Sequence, residues 1–240
     1  MVSDKRTLDY HSRQFKEPYR STVAFCDWLE ERNIIGPEVA LNIVDACCGH
    51  GANIDYMGKR YPKSNFHGFD IDREAIDRGC NILRENLANN CTLECNSLKD
   101  FDGRGYDGVI CLQTFSWLSN IHQPLEQLCN MGAGWIAFSS LFYDGPVSCE
   151  VRVTEHPFND CPTFPKKSYY NIYSIDEVCG LLKNFGYSRI AFKPFEIDID
   201  LEKPSSGLMG TYTQKLENGH RIQISGPLLM TWYFFTAEKI

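Results

Sequence analysis

The sequence predicts an α/β fold, in which helices cover both faces of one sheet, and three observations lead to this prediction. The chain of 240 residues is long enough to build such a sheet. Residues Val39 to Ala46 form an apolar run that passes through Gly49 and Gly51 into a helical pattern. Short apolar runs then alternate with helical segments along most of the chain, as is typical of strands joined by helices.

The turn after the first of these strands is suited to binding a nucleotide. Asp45 lies at the end of the strand, and Gly49 and Gly51 let the backbone approach a ligand closely. The helix that starts near Ala52 points its free N–H groups at the same place. Asp70 lies nineteen residues after Gly51, at the end of a second short strand. An acid there can hold both hydroxyls of a ribose.

The spacing of the glycines separates two kinds of nucleotide site. A dinucleotide dehydrogenase has a third glycine three residues after the second, where this chain has Ile54. The chain instead has the pattern acid-x-x-x-Gly-x-Gly at Asp45, Gly49 and Gly51, followed by Gly68-Phe69-Asp70-Ile71-Asp72. This pattern resembles motif I and the following acidic motif of the class I S-adenosylmethionine-dependent methyltransferases.

The resemblance implies a Rossmann-like, seven-stranded, mostly parallel sheet with an antiparallel last strand, helices on both faces and extra β-hairpin insertions over the substrate side. The expected strands are Val39 to Ala46, Asn65 to Phe69, Cys91 to Cys95, Tyr106 to Leu112, Gly134 to Ser140, Tyr187 to Pro194 and Trp232 to Ala237. We expect residues 1–240 to form a single domain. In it, residues 1–38 are an N-terminal helical cap, and residues 141–173 and 195–230 are insertions over the acceptor site.

Local signals predict several further features. A helical pattern covers Asp9 to Arg32, with Pro18 breaking an early turn. Asp72 is placed to cap a helix, and Ser174-Ile175-Asp176-Glu177 is a capping box. Asn218-Gly219 predicts a hairpin, and Val147 to His156 alternates enough to form an extra strand or hairpin.

Charge and composition narrow the class of substrate. The net charge of −7 opposes binding to phosphate backbones, and the basic pair Lys166-Lys167 is a small exception. The loop after the fourth strand begins Gln113-Thr114-Phe115, and it lacks the Asn-Pro-Pro-Tyr sequence of methyltransferases that act on exocyclic amines. We therefore expect a small-molecule methyl acceptor rather than a nucleic acid.

The eleven cysteines are expected to be reduced residues of the core. Their spacing gives no zinc motif, so no metal is expected. The sequence shows neither an export signal nor an apolar run long enough to span a bilayer. We expect a soluble cytoplasmic protein, either a monomer or a homodimer, with no membrane partner.

The resemblance assigns roles in binding S-adenosylmethionine, whose product is S-adenosylhomocysteine. The motif I turn is assigned to the methionine moiety, Asp70 to the ribose and Ile71 to packing on the adenine. The other assigned residues are Asp45, Cys47, Gly49 and Gly51 in the turn, Asn96 and Ser97 at the adenine edge, and Gln113, Tyr10 and Arg13 at the amino-acid end. Cys47 departs from the family, which has glycine or alanine there, and its extra atom would crowd the ligand.

The acceptor half of the site is expected in the first insertion. Tyr143, Glu150 and His156 are candidate catalytic residues there. A protonated amine must lose a proton before it attacks, so Glu150 or His156 would serve as the base, whereas a carboxylate acceptor would need none. Phe115 and Trp117 are placed either to line an apolar or cationic acceptor or to pack in the core.

Two classes of function follow from these residues. The first is transfer of a methyl group from S-adenosylmethionine to an N or O atom of a small metabolite or natural product, by in-line displacement. The second is a catalytically silent methyltransferase fold that binds the cofactor or a partner protein. A methyltransferase that acts on RNA or protein is a third alternative.

Overall fold

The structure, a computed structural model, describes residues 13–156, 166–204 and 210–239. The helices are α1 (Arg20–Glu31), α2 (Ala52–Arg60), α3 (Arg73–Glu85), α4 (His122–Asn130) and α5 (Ile175–Asn184), with a short 3-10 turn at Phe115–Trp117. The strands are β1 (Asn42–Ala46), β2 (Asn65–Asp70), β3 (Cys91–Cys95), β4 (Gly108–Leu112), β5 (Trp135–Tyr143), β6 (Arg152–Glu155), β7 (Lys166–Tyr169), β8 (Tyr173–Ser174), β9 (Tyr187–Pro194), β10 (Thr211–Lys215), β11 (Arg221–Ser225), β12 (Leu228–Leu229) and β13 (Trp232–Lys239).

The central sheet has the strand order β3-β2-β1-β4-β5-β13-β9. β1 pairs in parallel with β2 and β4, and the pairs β2–β3 and β4–β5 are also parallel. β13 is antiparallel to both of its neighbours, β5 and β9. The prediction of a mostly parallel sheet with an antiparallel last strand is confirmed. The short strand β8, which pairs with the end of β5, is an eighth member that was not predicted.

Side-chain alternation along the strands divides the core into two layers. On β1, Ile43 packs in the layer that contains α1 and α2, whereas Val44 packs in the layer that contains α4 and α5. Both residues are fully buried, and each contributes about 1.5–3 kcal/mol on removal from water. β1 is apolar on both faces because helices cover both sides of a parallel sheet. Asp45, 1 % exposed, interrupts this apolar pattern.

The N-terminal helix is shorter than predicted. α1 begins at Arg20, after Pro18, and Arg13 to Glu17 form a separate turn in which Lys16 and Glu17 donate to the Arg13 carbonyl. Proline lacks an N–H and keeps the residue before it out of the helical region, so the helix cannot run through this point. The predicted start of the helix, Asp9, lies outside the described residues.

The two predicted insertions share one small core beside the end of β5. β6 and β7 form an antiparallel ribbon from the first insertion, and β10, β11 and β12 form a three-stranded sheet from the second. Tyr170 of the first insertion and Met230 at the end of the second pack together with Leu141 of β5. The expected strand from Val147 was too long, since β6 covers only Arg152–Glu155.

The local signals for caps and turns gave mostly correct predictions. Asp72 accepts a hydrogen bond from the Ala75 N–H at 3.2 Å, and the Asn218-Gly219 turn joins β10 to β11. Ser174 caps α5 through the Glu177 N–H at 3.3 Å. The reciprocal half of this capping box is absent from the described structure, because the Glu177 carboxylate accepts from the Ser148 hydroxyl at 2.6 Å instead.

Candidate active site

A crevice is expected where the order of parallel strands reverses. Along the sheet, the chain moves outward from β1 to β2 and β3 on one side, and from β4 to β5 on the other. The connections after β1 and β4 therefore leave in opposite directions, and ligands of open α/β sheets bind between two such strand ends. The motif I turn follows β1, and Gln113 follows β4.

The motif I turn uses three residues with left-handed backbone conformations. The φ angles are 59° at Cys47, 56° at Gly49 and 78° at Gly51, which is the residue before α2. At Gly49, apart from the glycine and its two chain neighbours, no atom of the described residues lies within 4 Å of the position that a Cβ would occupy. The turn therefore exposes its backbone to the crevice, as close contact with a ligand requires.

Cys47 takes the left-handed conformation without being glycine. For an ordinary L-residue this conformation costs roughly 1–2 kcal/mol. The Cys47 thiol is hydrogen-bonded to Cys111, and this bond and burial raise the pKa of the Cys111 thiol well above its ordinary value. Because Cys111 is fully buried in β4, the Cys47 side chain is directed toward the sheet. The expectation that its extra atom would crowd a ligand stays a prediction.

Asp70 connects the motif I turn to the end of β2. One carboxylate oxygen accepts from the Gly49 N–H at 2.9 Å, and the other accepts from the Asp72 N–H at 2.9 Å. The cap of α3 is Asp72, so Asp70 is not a helix cap. Each carboxylate oxygen can accept a second hydrogen bond. Asp70 can therefore brace the turn and bind a ligand hydroxyl at the same time.

Asp45 is a buried carboxyl without a local partner. Neither of its oxygens has a hydrogen-bond partner among the described residues. Burial raises the pKa of the Asp45 carboxyl well above its ordinary value of 3.8, and the nearby Asp70 carboxylate raises it further. A buried polar group of this kind needs an explanation, and a ligand that supplies donors in the crevice is one.

The predicted adenine side contains one exposed apolar residue and two polar residues. Ile71 is 69 % exposed, which is unusual for isoleucine and leaves its side chain free to pack on a flat ring. The Asn96 side-chain oxygen accepts from the Ser97 N–H at 2.8 Å, and its nitrogen donates to Glu94 at 3.0 Å. The Ser97 hydroxyl donates to Asp100 at 2.6 Å. The Asn96 oxygen keeps one lone pair for a further donor.

Gln113 closes the other side of the crevice. Its φ is 56°, and its N–H lies 2.9 Å from the Ser139 carbonyl and 3.1 Å from the Ser139 hydroxyl. Its side-chain nitrogen donates to the Ser21 hydroxyl at 2.9 Å. The next residue of α1, Thr22, donates to the Asn53 side chain at 2.8 Å. The start of α1 therefore bridges the segments that follow β1 and β4.

Ser21, Thr22 and Asn53 were not predicted from the sequence. No motif marks them, and their partners are distant along the chain. Of the two residues that were predicted at this end, Arg13 is exposed and Tyr10 lies outside the described residues. The position of α1 is consistent with a cap, whereas the roles of Arg13 and Tyr10 stay predictions.

The candidate catalytic residues lie on the first insertion without contacts between them. Tyr143, at the end of β5, is 51 % exposed, and Glu150 and His156 are also exposed. Within the described ranges, no hydrogen bond or ion pair joins any two of these three side chains. A base acts only within hydrogen-bond reach of the proton it removes. Their catalytic roles therefore stay predictions.

The two aromatic residues of the loop after β4 have different environments. Phe115 is fully buried and packs edge-on against Phe138 at 5.2 Å, so it belongs to the core. Trp117 is 41 % exposed, and its ring lies 4.3 Å from that of Tyr170. Of the two, Trp117 is the residue that can contact an acceptor.

The residues of the crevice fit a ligand with a ribose, a flat base and an amino-acid group. The fit rests on the open backbone at Gly49, the unpartnered carboxyl of Asp45 and the exposed side chain of Ile71.

No cluster of three or more metal-ligating side chains occurs within the described residues. Among the helices of those residues, none has the length and apolar character needed to cross a bilayer.

Comparisons with known proteins agree with this geometry. A family model described as "Methyltransferase domain" matches residues 44–131, which include the motif I turn, Asp70, Asn96 and Gln113. An uncharacterized protein of Rickettsia prowazekii (strain Madrid E) is 29 % identical over 114 residues, which are 44 % of this chain and 45 % of that protein.

A second curated relative has a name that states an activity. The malonyl-(acyl-carrier protein) O-methyltransferase of Priestia megaterium is 23 % identical over 154 residues, which are 61 % of this chain and 54 % of that protein. The chain therefore spans about half the length of the curated relatives it matches.

Among solved structures, the magnesium protoporphyrin IX methyltransferase (ChlM) of Synechocystis PCC 6803, with bound SAM, superposes with a TM-score of 0.57. It is 15 % identical, and the superposition covers 100 % of this chain and 87 % of that one. At this identity the similarity shows the fold alone.

Proposed function

We propose that this chain, which belongs to the class I S-adenosylmethionine-dependent methyltransferases, transfers a methyl group from S-adenosylmethionine to an N or O atom of a small metabolite or natural product. The observation that carries the proposal is the crevice between the ends of β1 and β4. An open glycine turn and a buried carboxyl lie at this reversal of strand order, and an exposed isoleucine follows the neighbouring strand β2.

The side of the crevice formed by the ends of β2 and β3 would hold the adenosine. Asp70 would accept hydrogen bonds from the ribose hydroxyls, since its two oxygens each retain a lone pair. Ile71 would pack on the adenine ring, and Asn96 would accept from the adenine amino group, with Ser97 supporting it. The Asn96 oxygen already accepts from the Ser97 N–H, which orients the side-chain amide.

The other side would hold the methionine moiety. The backbone of the motif I turn from Cys47 to Gly51 would contact it, together with Asp45 and Gln113. Arg13 and Tyr10 are proposed for the methionine carboxylate. The bond from Gln113 to Ser21 supports a closed arrangement, because it joins the end of β4 to the cap helix α1.

The chemistry of the step requires little from the protein beyond alignment. When bound, S-adenosylmethionine supplies a methyl group on a positively charged sulfur, which a nucleophile can displace in line. The chain's residues would hold the acceptor in line with that methyl and exclude water from between the two reactants. α1 and the two insertions are proposed to exclude water, because the start of α1 bonds to Gln113 and the insertions follow the ends of β5 and β9.

Tyr143, Glu150 and His156 are proposed to contact the acceptor. Glu150 or His156 would remove the proton of an amine acceptor, whereas a carboxylate acceptor needs no base. The net charge of −7 supports a small acceptor over a nucleic acid. The malonyl-(acyl-carrier protein) O-methyltransferase transfers a methyl group to oxygen by its name, which supports an O acceptor.

The ten described cysteines are all free thiols, which suits a reducing compartment such as the cytoplasm. We place the protein there, as a monomer or a homodimer. Size-exclusion chromatography with light scattering would measure its state of assembly.

A second function is favoured by two observations. No hydrogen bond or ion pair joins the candidate base residues in the described structure, and Cys47 takes a strained conformation where the family has a small residue. Both features suit a catalytically silent fold that binds the cofactor or a partner protein. This alternative shares the cofactor site with the first function and differs only in turnover.

Calorimetry with S-adenosylhomocysteine tests the cofactor site, and product formation with pooled small metabolites and labelled S-adenosylmethionine tests turnover. Binding together with turnover supports the enzyme. Binding without turnover on any pool supports the silent fold. Absence of binding would remove both.

A further inference from the structure

We propose that Asn171 is a positioning residue that fixes the acceptor loop, defined as residues 115–119, and through it holds Trp117 at the acceptor side of the site. The inference rests on the proposed function, because the acceptor loop follows β4, one wall of the crevice. Neither the family motifs nor the sequence pattern marks Asn171.

The Asn171 side chain is fully buried and uses both its donor and its acceptor groups. Its side-chain nitrogen donates to the Leu118 carbonyl at 2.9 Å and to the Tyr173 hydroxyl at 3.2 Å. Its side-chain oxygen accepts from the Val151 N–H at 2.9 Å. One amide therefore joins the acceptor loop, the start of the β6–β7 ribbon and β8.

Further bonds attach the same loop to its surroundings. The Asn171 N–H donates to the Ser116 carbonyl at 2.9 Å, and the Ser116 N–H donates to the Ser140 hydroxyl of β5 at 2.9 Å. The Tyr173 hydroxyl lies 3.2 Å from the Phe115 carbonyl. The Asn171 N–H, the Asn171 side-chain amide and the Tyr173 hydroxyl thus each donate to a carbonyl of the acceptor loop.

The acceptor loop cannot hold this shape alone. Its only regular element in the described structure is the 3-10 turn Phe115–Trp117, and such short turns have poor hydrogen-bond geometry. Phe115 and Ser116 are buried, so their carbonyls must find donors, and here the donors are the Tyr173 hydroxyl and the Asn171 N–H. The Asn171 and Tyr173 side chains therefore help to fix the conformation of the loop, together with the Asn171 N–H and the Ser140 hydroxyl.

The consequence of this anchoring is the placement of Trp117. Its ring lies 4.3 Å from Tyr170, which directly precedes Asn171 and is 5 % exposed, whereas Trp117 itself is 41 % exposed. A half-exposed indole fixed against a buried tyrosine offers an aromatic face. Such a face binds an apolar, flat or cationic part of an acceptor.

A matched pair of substitutions separates this role from a general loss of stability. Asn171→Asp keeps the shape and the acceptor for Val151, but it turns the donor toward Leu118 into an acceptor. Asn90→Asp makes the same chemical change at an amide that donates to the Gly58 carbonyl at 3.0 Å and the Ser64 carbonyl at 2.9 Å. Asn90 lies just before β3, at the end of the sheet away from the crevice.

The measurement is acrylamide quenching of Trp117 fluorescence, obtained as the difference between each protein and its Trp117→Phe form. Because the ring is 41 % exposed when docked, Asn171→Asp is expected to increase the quenching constant of Trp117 roughly twofold as the loop opens. Asn90→Asp is expected to leave it unchanged. Both variants are expected to keep their affinity for S-adenosylhomocysteine in calorimetry.

Equal quenching of Trp117 in the Asn171→Asp and Asn90→Asp proteins would overturn the proposal. If Asn171→Asp fails to fold, Asn171→Ser decides instead, since it adds no charge but removes the side-chain amide that donates to Leu118, and it must still increase the quenching of Trp117. Failure of the parent protein to bind S-adenosylhomocysteine would reject the proposed function, whereas the quenching comparison would still decide the role of Asn171.

Discussion

Replacing Asp45 with asparagine is expected to change how the stability of the ligand-free protein depends on pH. The carboxyl is 1 % exposed and has no hydrogen-bond partner among the described residues. Burial, and then the Asp70 carboxylate, raises the pKa of Asp45 well above the value of 3.8 that it has when exposed. The folded protein therefore keeps a proton that the unfolded chain has already lost.

The size of the effect follows from proton linkage. Between the unfolded and the folded pKa of Asp45, the free energy of unfolding falls by about 1.4 kcal/mol for each unit of pH. From pH 5 to pH 7 the loss reaches about 2.7 kcal/mol if the carboxyl stays protonated throughout. The stabilisation is fully present below the unfolded pKa and is lost as the pH rises through the folded pKa. Asparagine has no such proton, so the Asp45→Asn protein lacks this dependence.

Urea unfolding of both proteins at pH 5, 6 and 7 measures the effect as the difference between them. Burial lowers the pKa of His67, which gives stability the opposite dependence on pH, but this contribution is common to both proteins and cancels. The difference in stability at a single pH does not test whether the pKa of Asp45 is raised. The new asparagine buries an unpartnered amide, which by itself costs about 1–3 kcal/mol. Parallel stability curves for the two proteins would refute a raised pKa at Asp45.

Further predictions concern other parts of the site and the cap. Asp70→Ala is expected to weaken S-adenosylhomocysteine binding by about 1–3 kcal/mol in calorimetry. The control variant, Asp72→Ala, is expected to lower stability by about 1 kcal/mol and to keep the affinity for S-adenosylhomocysteine. An unchanged affinity in Asp70→Ala would contradict the role of Asp70 in binding the ribose. Cys47→Gly is expected to raise the midpoint of urea unfolding. Relief of backbone strain is worth roughly 1–2 kcal/mol, which exceeds the ~0.5–1 kcal/mol entropy cost of glycine. A lower midpoint would mean that the hydrogen bond between Cys47 and Cys111 outweighs the strain. Arg60→Ala removes a 2.7 Å hydrogen bond from Arg60 to Glu30 on α1. Hydrogen exchange of the α1 amides is therefore expected to accelerate about tenfold. Unchanged exchange would show that apolar packing alone holds α1 against the sheet.

Elements whose signals are local were predicted closely from the sequence. β3 and β9 have the predicted limits, and the helix caps at Asp72 and Ser174 are where the residue types placed them. These features depend on side-chain alternation and on hydrogen bonds to neighbours a few residues away. Such information is contained in any short window of sequence.

Contacts between distant segments could not be predicted in the same way. Gln113 meets Ser21 across 92 residues, and Thr22 meets Asn53 across 31. The same limitation applies to Phe115 and Trp117, which differ little as sequence signals although one is core and the other half-exposed. Burial of a loop residue depends on what packs against it, which is Phe138 of β5 for Phe115 and Tyr170 for Trp117.

The sequence by itself determined the order of strands and helices, the glycine turn and the acid at the tip of β2. Each of these follows from the period of apolar residues or from the backbone freedom of glycine, which are properties of adjacent residues. The tertiary structure decided which polar groups meet. It buries Asp45 without a hydrogen-bond partner among the described residues, it places the Asp70 carboxylate on the Gly49 N–H, and it joins Asn171 to Leu118 and Val151. Those pairings depend on strand register and on the packing of insertions, which arise only when the whole sheet has formed.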